Sequence, residues 1–181
     1  SSLVTILLSA YPKLDFRELT AQFPAPPGTS LARVFRDHGF RTAFMTPSDL
    51  RWAGWGAFLD GRGFSDVRDY HDLACPARVS SWGVEDRCMV DAMVTFVEEM
   101  RTRPFFLMGW TTQTHHPYDV SPGVPELDLL RERTPDDWEL GRYLNILHET
   151  DRHLARLFDA VRRAGLDQDT LIVVTGDHGQ A

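Results

Sequence analysis

The chain has 181 residues, 43% of them apolar, enough for one domain with a real core. A formal net charge of -7 and a single lysine, Lys13, exclude the basic stripe of a nucleic-acid binder. No apolar run approaches the ~18 residues of a membrane span, and the opening Ser1-Ser2-Leu3 lacks the basic start of a signal peptide.

Residues 2–10 (SLVTILLSA) are apolar nearly all round, which predicts a buried helix ended by Tyr11-Pro12. After a proline loop at 24–28, Thr29 or Ser30 caps a helix over 31–38, with Leu31, Val34 and Phe35 on one face and Gly39 as its stop. Residues 41–45 (RTAFM) predict a short strand. Residues 47–63, rich in Trp, Phe and Gly, begin a helix packed on the sheet, and 64–70 (FSDVRDY) alternate as an outer strand. Residues 71–83 read as loop. Apolar positions 90, 93, 94 and 97 predict an amphipathic helix over 84–100.

Residues 104–110 (PFFLMGW) predict a second buried strand, which hands the polar segment 111–118 (TTQTHHPY) to one edge of the sheet. Residues 119–137, with prolines and many acids, read as a surface excursion. The longest helix spans 138–164, its stripe formed by Leu140, Tyr143, Leu144, Leu147, Leu154, Leu157, Phe158 and Val161. Residues 171–174 (LIVV) then predict a strand buried on both faces of a parallel sheet, delivering Asp177-His178-Gly179 at its carboxyl end. Helices alternating with strands define an α/β fold with a largely parallel sheet and helices on both faces.

An Asp oxygen beside a His nitrogen suits a divalent metal, so Asp177 and His178 are the candidate ligands. His115 and His116 lie at the carboxyl end of another predicted strand, where an imidazole can donate to an anionic ester oxygen or act as general acid. Asp151, between Leu147 and Leu154 in the stripe of the long helix, must be paired there and is read as structural. His148 and His153 are placed on the wetter side of that helix. His38 suits a helix C-terminus, His71 has no evident partner, and the five Trp residues read as core and rim. Cys75 and Cys88 form neither a disulfide framework nor a metal motif; two unpaired thiols is the favoured reading, with a bridge left open.

The order of these segments resembles the sulfatase family of the alkaline-phosphatase superfamily, including its phosphoglycerol-transferase, phosphoethanolamine-transferase and lipoteichoic-acid-synthase-like relatives. SSLVTILLSAYP at 1–12 is similar to the helix after the family's nucleophile. LARVFRDHGFRTAFM at 31–45 resembles its helix and Gly-aromatic-Arg-Thr strand. His115-His-Pro-Tyr118 resembles its substrate-histidine loop, and residues 143–179 its closing helix, strand and Asp-His-Gly metal motif.

The resemblance implies an alkaline-phosphatase-like sandwich in which Asp177 and His178 hold a divalent metal: Ca2+ in a sulfatase, Mn2+, Mg2+ or Zn2+ in a phosphotransferase. It implies that His115 contacts the sulfate or phosphate, with His116 the next candidate. The family's nucleophile falls two positions upstream of Ser1, so residues 1–181 are expected to be one partial catalytic domain, an internal fragment with little activity of its own. The leading expectation is metal-dependent sulfate-ester hydrolysis. The alternatives are phosphoglycerol or phosphoethanolamine transfer at the cell envelope and, from another class, a non-catalytic homologue. The expected partner is a small-molecule, glycan or lipid-headgroup ester, and family habit points to an extracytoplasmic or cell-envelope location.

Overall fold

The structure, a computed structural model, describes residues 2–11, 18–76, 79–130 and 137–178. Pro12, Lys13, Ser1 and Gly179 of the motifs above lie outside them. Three parallel strands form the sheet: β1 (Arg41–Met45) at its centre, β2 (Asp66–Arg68) on one side and β3 (Phe105–Gly109) on the other. Parallel neighbours need crossovers, and helices supply them. In chain order these are α1 (Ser2–Leu8), α2 (Leu19–Gln22), α3 (Leu31–Asp37), α4 (Trp55–Leu59), α5 (Asp86–Glu99) and α6 (Trp138–Arg163).

The period-2 alternation of β1 divides the core in two. Ala43 and Met45 face Met89, Met93 and Phe96 of α5 and Leu157 and Val161 of α6. Phe44 faces the other way, into Leu3, Val4 and Leu7 of α1 and Trp55 and Phe58 of α4. The sheet is therefore covered by helices on both faces, as the alternation of elements requires. Ser30 caps α3 by accepting from the Arg33 N–H at 3.2 Å, but Leu31 and Val34 are exposed and only Ala32 of that helix is buried. The close approach behind this is set by Gly63, at φ +101°, where a Cβ would stand 2.5 Å from the Arg33 backbone.

Three expectations are corrected. Cys75 and Cys88 are joined, their Cα atoms 5.7 Å apart, because the loop after β2 crosses directly over the first turn of α5. Closing that 13-residue separation removes about 3 kcal/mol of freedom from the unfolded chain. Asp151 is exposed, while Asn145, Ile146, Glu149, Leu157, Ala160 and Val161 form the buried side of α6. The predicted stripe holds at Leu157 and Val161, which face the core, but not at Leu140 and Leu147, which are exposed. His153 turns inward, half-buried, while His148 stays exposed. Residues 171–174 are extended but belong to none of the three strands, and Leu171 is 89% and Val173 74% exposed. An apolar run specifies the environment a strand requires, not the neighbour that supplies it; among the described residues no strand pairs with this one.

Candidate functional site

All three strands run the same way, so their carboxyl ends share one edge. There Thr46 Oγ1 donates to the Trp110 carbonyl at 3.1 Å, tying the exits of β1 and β3 together. Beyond β2, Asp69 accepts from the Leu50 N–H at 3.3 Å and from both the backbone N–H and Nδ1 of His71. His71 thus has the partner its sequence context did not reveal.

The loop after β3 presents His115 and His116 at this edge, both exposed. They are held differently. The His115 ring packs on Trp82 with centroids 4.5 Å apart, and its Nδ1 lies 2.7 Å from the His116 carbonyl. A carbonyl only accepts, so Nδ1 carries the proton and Nε2 is left for chemistry. His116 instead turns toward α6, with Nε2 3.7 Å from Glu139 and its ring edge-on to Tyr118. Trp82 also donates from Nε1 to the His116 carbonyl at 3.1 Å. Gly83 makes this placement possible: a Cβ there would meet the Pro47 carbonyl at 1.9 Å, breaking the bridge between Ser48 and Gly83. The aromatic contacts continue inward from Trp82 to Trp52, Trp55 and Trp110.

Asp177 and His178 are the other candidate pair. Their side chains face each other, Nε2 to Oδ2 at 3.5 Å, and both are exposed. The Ser2 hydroxyl donates to the Asp177 carbonyl at 2.7 Å, so the pair lies against the start of α1. Because α1 packs through Leu3, Val4 and Leu7 on the cluster that includes Trp55 and Trp110, one aromatic group supports both the α1 side and the His115 side. The donor chemistry of Asp177 and His178 suits a divalent cation, and two ligands are part of a set; among the described residues no group of three or more His, Cys, Asp or Glu converges as a metal site.

Sequence reasoning missed two residues behind the histidine loop. Asp86, 1% exposed at the first turn of α5, accepts from the Thr112 N–H at 2.9 Å and the Gln113 N–H at 3.2 Å. Gln113 returns the bond, its Oε1 accepting from the Asp86 N–H at 2.8 Å. Burial pushes the Asp86 carboxyl up to about 6 against the pull of its two backbone donors, and Glu149 on the facing side of α6 adds to the rise. Glu149 is itself raised, chiefly by burial. A carboxyl whose folded pKa is raised holds its proton more tightly when folded. Its contribution to stability is complete below the ordinary carboxylate pKa and is lost as pH rises through about 6. Relative to Asp86→Asn, the wild-type protein should lose ~3 kcal/mol between pH 4 and pH 7, a difference in slope readable from urea denaturation at several pH values.

With this geometry in place, the chain belongs to the Sulfatase family, whose model matches residues 2–181. It is 32% identical over 162 residues to phosphoglycerol transferase I of Xanthomonas euvesicatoria pv. vesicatoria (strain 85-10), a match covering 84% of this chain and 22% of the relative. The phosphoglycerol transferase I of Salmonella choleraesuis (strain SC-B67) is 26% identical over 159 residues, covering 84% and 20%. The chain therefore spans about a fifth of the length of these curated relatives. Among solved structures, the lipoteichoic acid synthase LtaP from Listeria monocytogenes superposes with a TM-score of 0.78 at 20% identity, over 91% of this chain and 40% of that one. An alkaline-phosphatase-superfamily protein from Vibrio parahaemolyticus gives 0.67 at 17% identity, over 90% and 38%. The fold is that of the alkaline-phosphatase superfamily, and the family is one of enzymes. The two curated relatives are named as phosphoglycerol transferases, not as sulfatases.

Proposed function

We propose that residues 1–181 are part of a metal-dependent phosphoglycerol transferase domain that moves a glycerophosphate group from a lipid-headgroup ester to an acceptor hydroxyl. The observation that carries this reading is the 32% identity to a phosphoglycerol transferase over 84% of the chain. The site geometry supports it. Asp177 and His178 would hold a divalent cation, which when bound supplies charge neutralisation and a lowered nucleophile pKa. Their seat beside Ser2 puts the start of α1 next to the metal ligands, the place from which the family resemblance has the nucleophile delivered.

In the reaction an oxygen nucleophile gives up its proton to water and attacks phosphorus, the bond to the leaving alcohol breaks, and the departing oxygen takes up a proton from water. The acceptor hydroxyl then repeats the displacement on the phosphoglyceryl intermediate, losing its own proton. His115, with Nδ1–H committed to the His116 carbonyl, presents Nε2 to an oxygen of the transferring phosphoryl group. Trp82 keeps that ring from rotating.

The test gives full-length protein, with Mn2+ supplied, either phosphatidylglycerol vesicles or an aryl sulfate. Glycerophosphate release without sulfate release is expected, and the reverse result would return the chain to sulfate-ester hydrolysis. His115→Ala should lower kcat/KM by about 100- to 1000-fold, the scale for loss of one preorganised donor. His116→Ala, whose partner is Glu139 on α6, should cost less than about tenfold.

A further inference from the structure

We propose that Asp86 is a positioning residue for His115, acting with Gln113 as a reciprocal clasp that fixes the root of the histidine loop. The inference rests on the reading of His115 as the residue that meets the transferring group. Four observations carry it. The Asp86 side chain is removed from solvent, yet both carboxylate oxygens are spent on backbone N–H groups of Thr112 and Gln113, three and two positions before His115. Gln113, 7% exposed, accepts from the Asp86 N–H and so takes over a donor at the start of α5, where Glu85 at the N-cap makes no side-chain cap. Its Nε2 reaches forward to the Asp119 carbonyl at 3.0 Å and the buried Ser121 hydroxyl at 3.1 Å, just past Tyr118. The start of the loop is thus bound to the Asp86 carboxylate and its far end to the Gln113 amide.

Within the loop, the His115 N–H donates to the Thr112 carbonyl at 3.0 Å and the Tyr118 N–H to the His115 carbonyl at 3.1 Å. The peptide that Asp86 grips is therefore the one from which the His115 backbone hangs. A buried carboxylate is costly to desolvate, and a loop at the surface could satisfy its amides with water. The arrangement is explained when the backbone must be held to a fraction of an ångström, because a catalytic donor loses its effect once misplaced. Gln113 is a better partner than a carboxylate would be, since only an amide can accept from Asp86 and donate to Ser121 at once.

The experiment is a double-mutant cycle in the full-length protein, reading kcat and KM on phosphatidylglycerol vesicles with Mn2+. Asp86→Asn keeps one acceptor oxygen and should lower kcat about tenfold with KM changed less than about twofold; Asp86→Ala keeps none and should approach 100-fold. In a His115→Ala background, both substitutions should change kcat by less than about twofold, because the group they position is gone. Losses that multiply undiminished in that background would make Asp86 a general structural residue and overturn the inference. Full activity of Asp86→Ala would do the same. His115→Ala with unchanged activity would instead defeat the functional reading beneath it. If the Asp86 variants do not fold, Gln113→Met replaces them in the cycle, since it removes the forward bonds and the returned acceptor. Its loss of kcat should likewise vanish in the His115→Ala background, and a loss that persists there overturns the inference.

Discussion

Alanine at position 177 is expected to abolish metal-dependent turnover of the full-length protein, with kcat/KM falling by more than about 100-fold. That bound comes from outer partners of metal ligands, whose loss alone costs 10- to 100-fold; a carboxylate in direct contact with the cation should cost more. Asp177 is the carboxylate member of its pair, and its side chain also accepts from the His178 backbone N–H at 3.0 Å, so its removal takes that bond from His178 as well. Isothermal titration with Mn2+ should show weakened binding, while the Ser2 hydroxyl bond, made to the Asp177 carbonyl, survives the substitution. Helical content should therefore be unchanged. Undiminished Mn2+ affinity in Asp177→Ala would remove this residue from the ligand set.

Phe44→Ala is expected to cost about 3–5 kcal/mol of stability, the range for truncating a buried aromatic side chain. Phe44 is fully buried on the central strand, with the ring of Phe64 at 5.7 Å and that of Trp55 at 6.5 Å. It is the side chain of β1 that faces α1 and α4, so the cavity would open under the same aromatic group that supports the site. Against a typical total of about 5–15 kcal/mol, such a loss would leave the protein near its folding threshold. Phe23→Ala makes the comparison: that ring is 56% exposed, and its loss should fall within about 0.5 kcal/mol. Equal urea midpoints for the two variants would show that the core is not where β1 places it.

The elements that were legible in the sequence are those whose own periodicity fixes them. The apolar positions 90, 93 and 97 predict α5, and Met93 and Val97 do face the sheet. RTAFM and the two-sided core follow from a short apolar strand between helices. His115 could be singled out because the strand before it fixes which edge it reaches. The Asp86–Gln113 clasp could not: an acid in the first helical turn looks like an ordinary dipole partner, and its bonds go to backbone amides 26 and 27 residues away. The Cys75–Cys88 bridge stays an open alternative in the sequence, since the loop path between the two carries no periodicity. The stripe of α6 is legible where Leu157 and Val161 pack on the core and not at Asn145 and Glu149, polar residues that a count of leucines passes over.

The bond from Ser2 to Asp177 joins residues 175 positions apart. A ribosome adding about 5–20 residues per second needs roughly 9 to 35 s to travel between them. During that interval α1, the three strands and the histidine loop can all have emerged and packed, yet the acid and imidazole at 177 and 178 do not exist. Synthesis thus imposes an order on these contacts: the sheet and α1 first, the His115 loop second, and the Asp177 carbonyl that Ser2 reaches last.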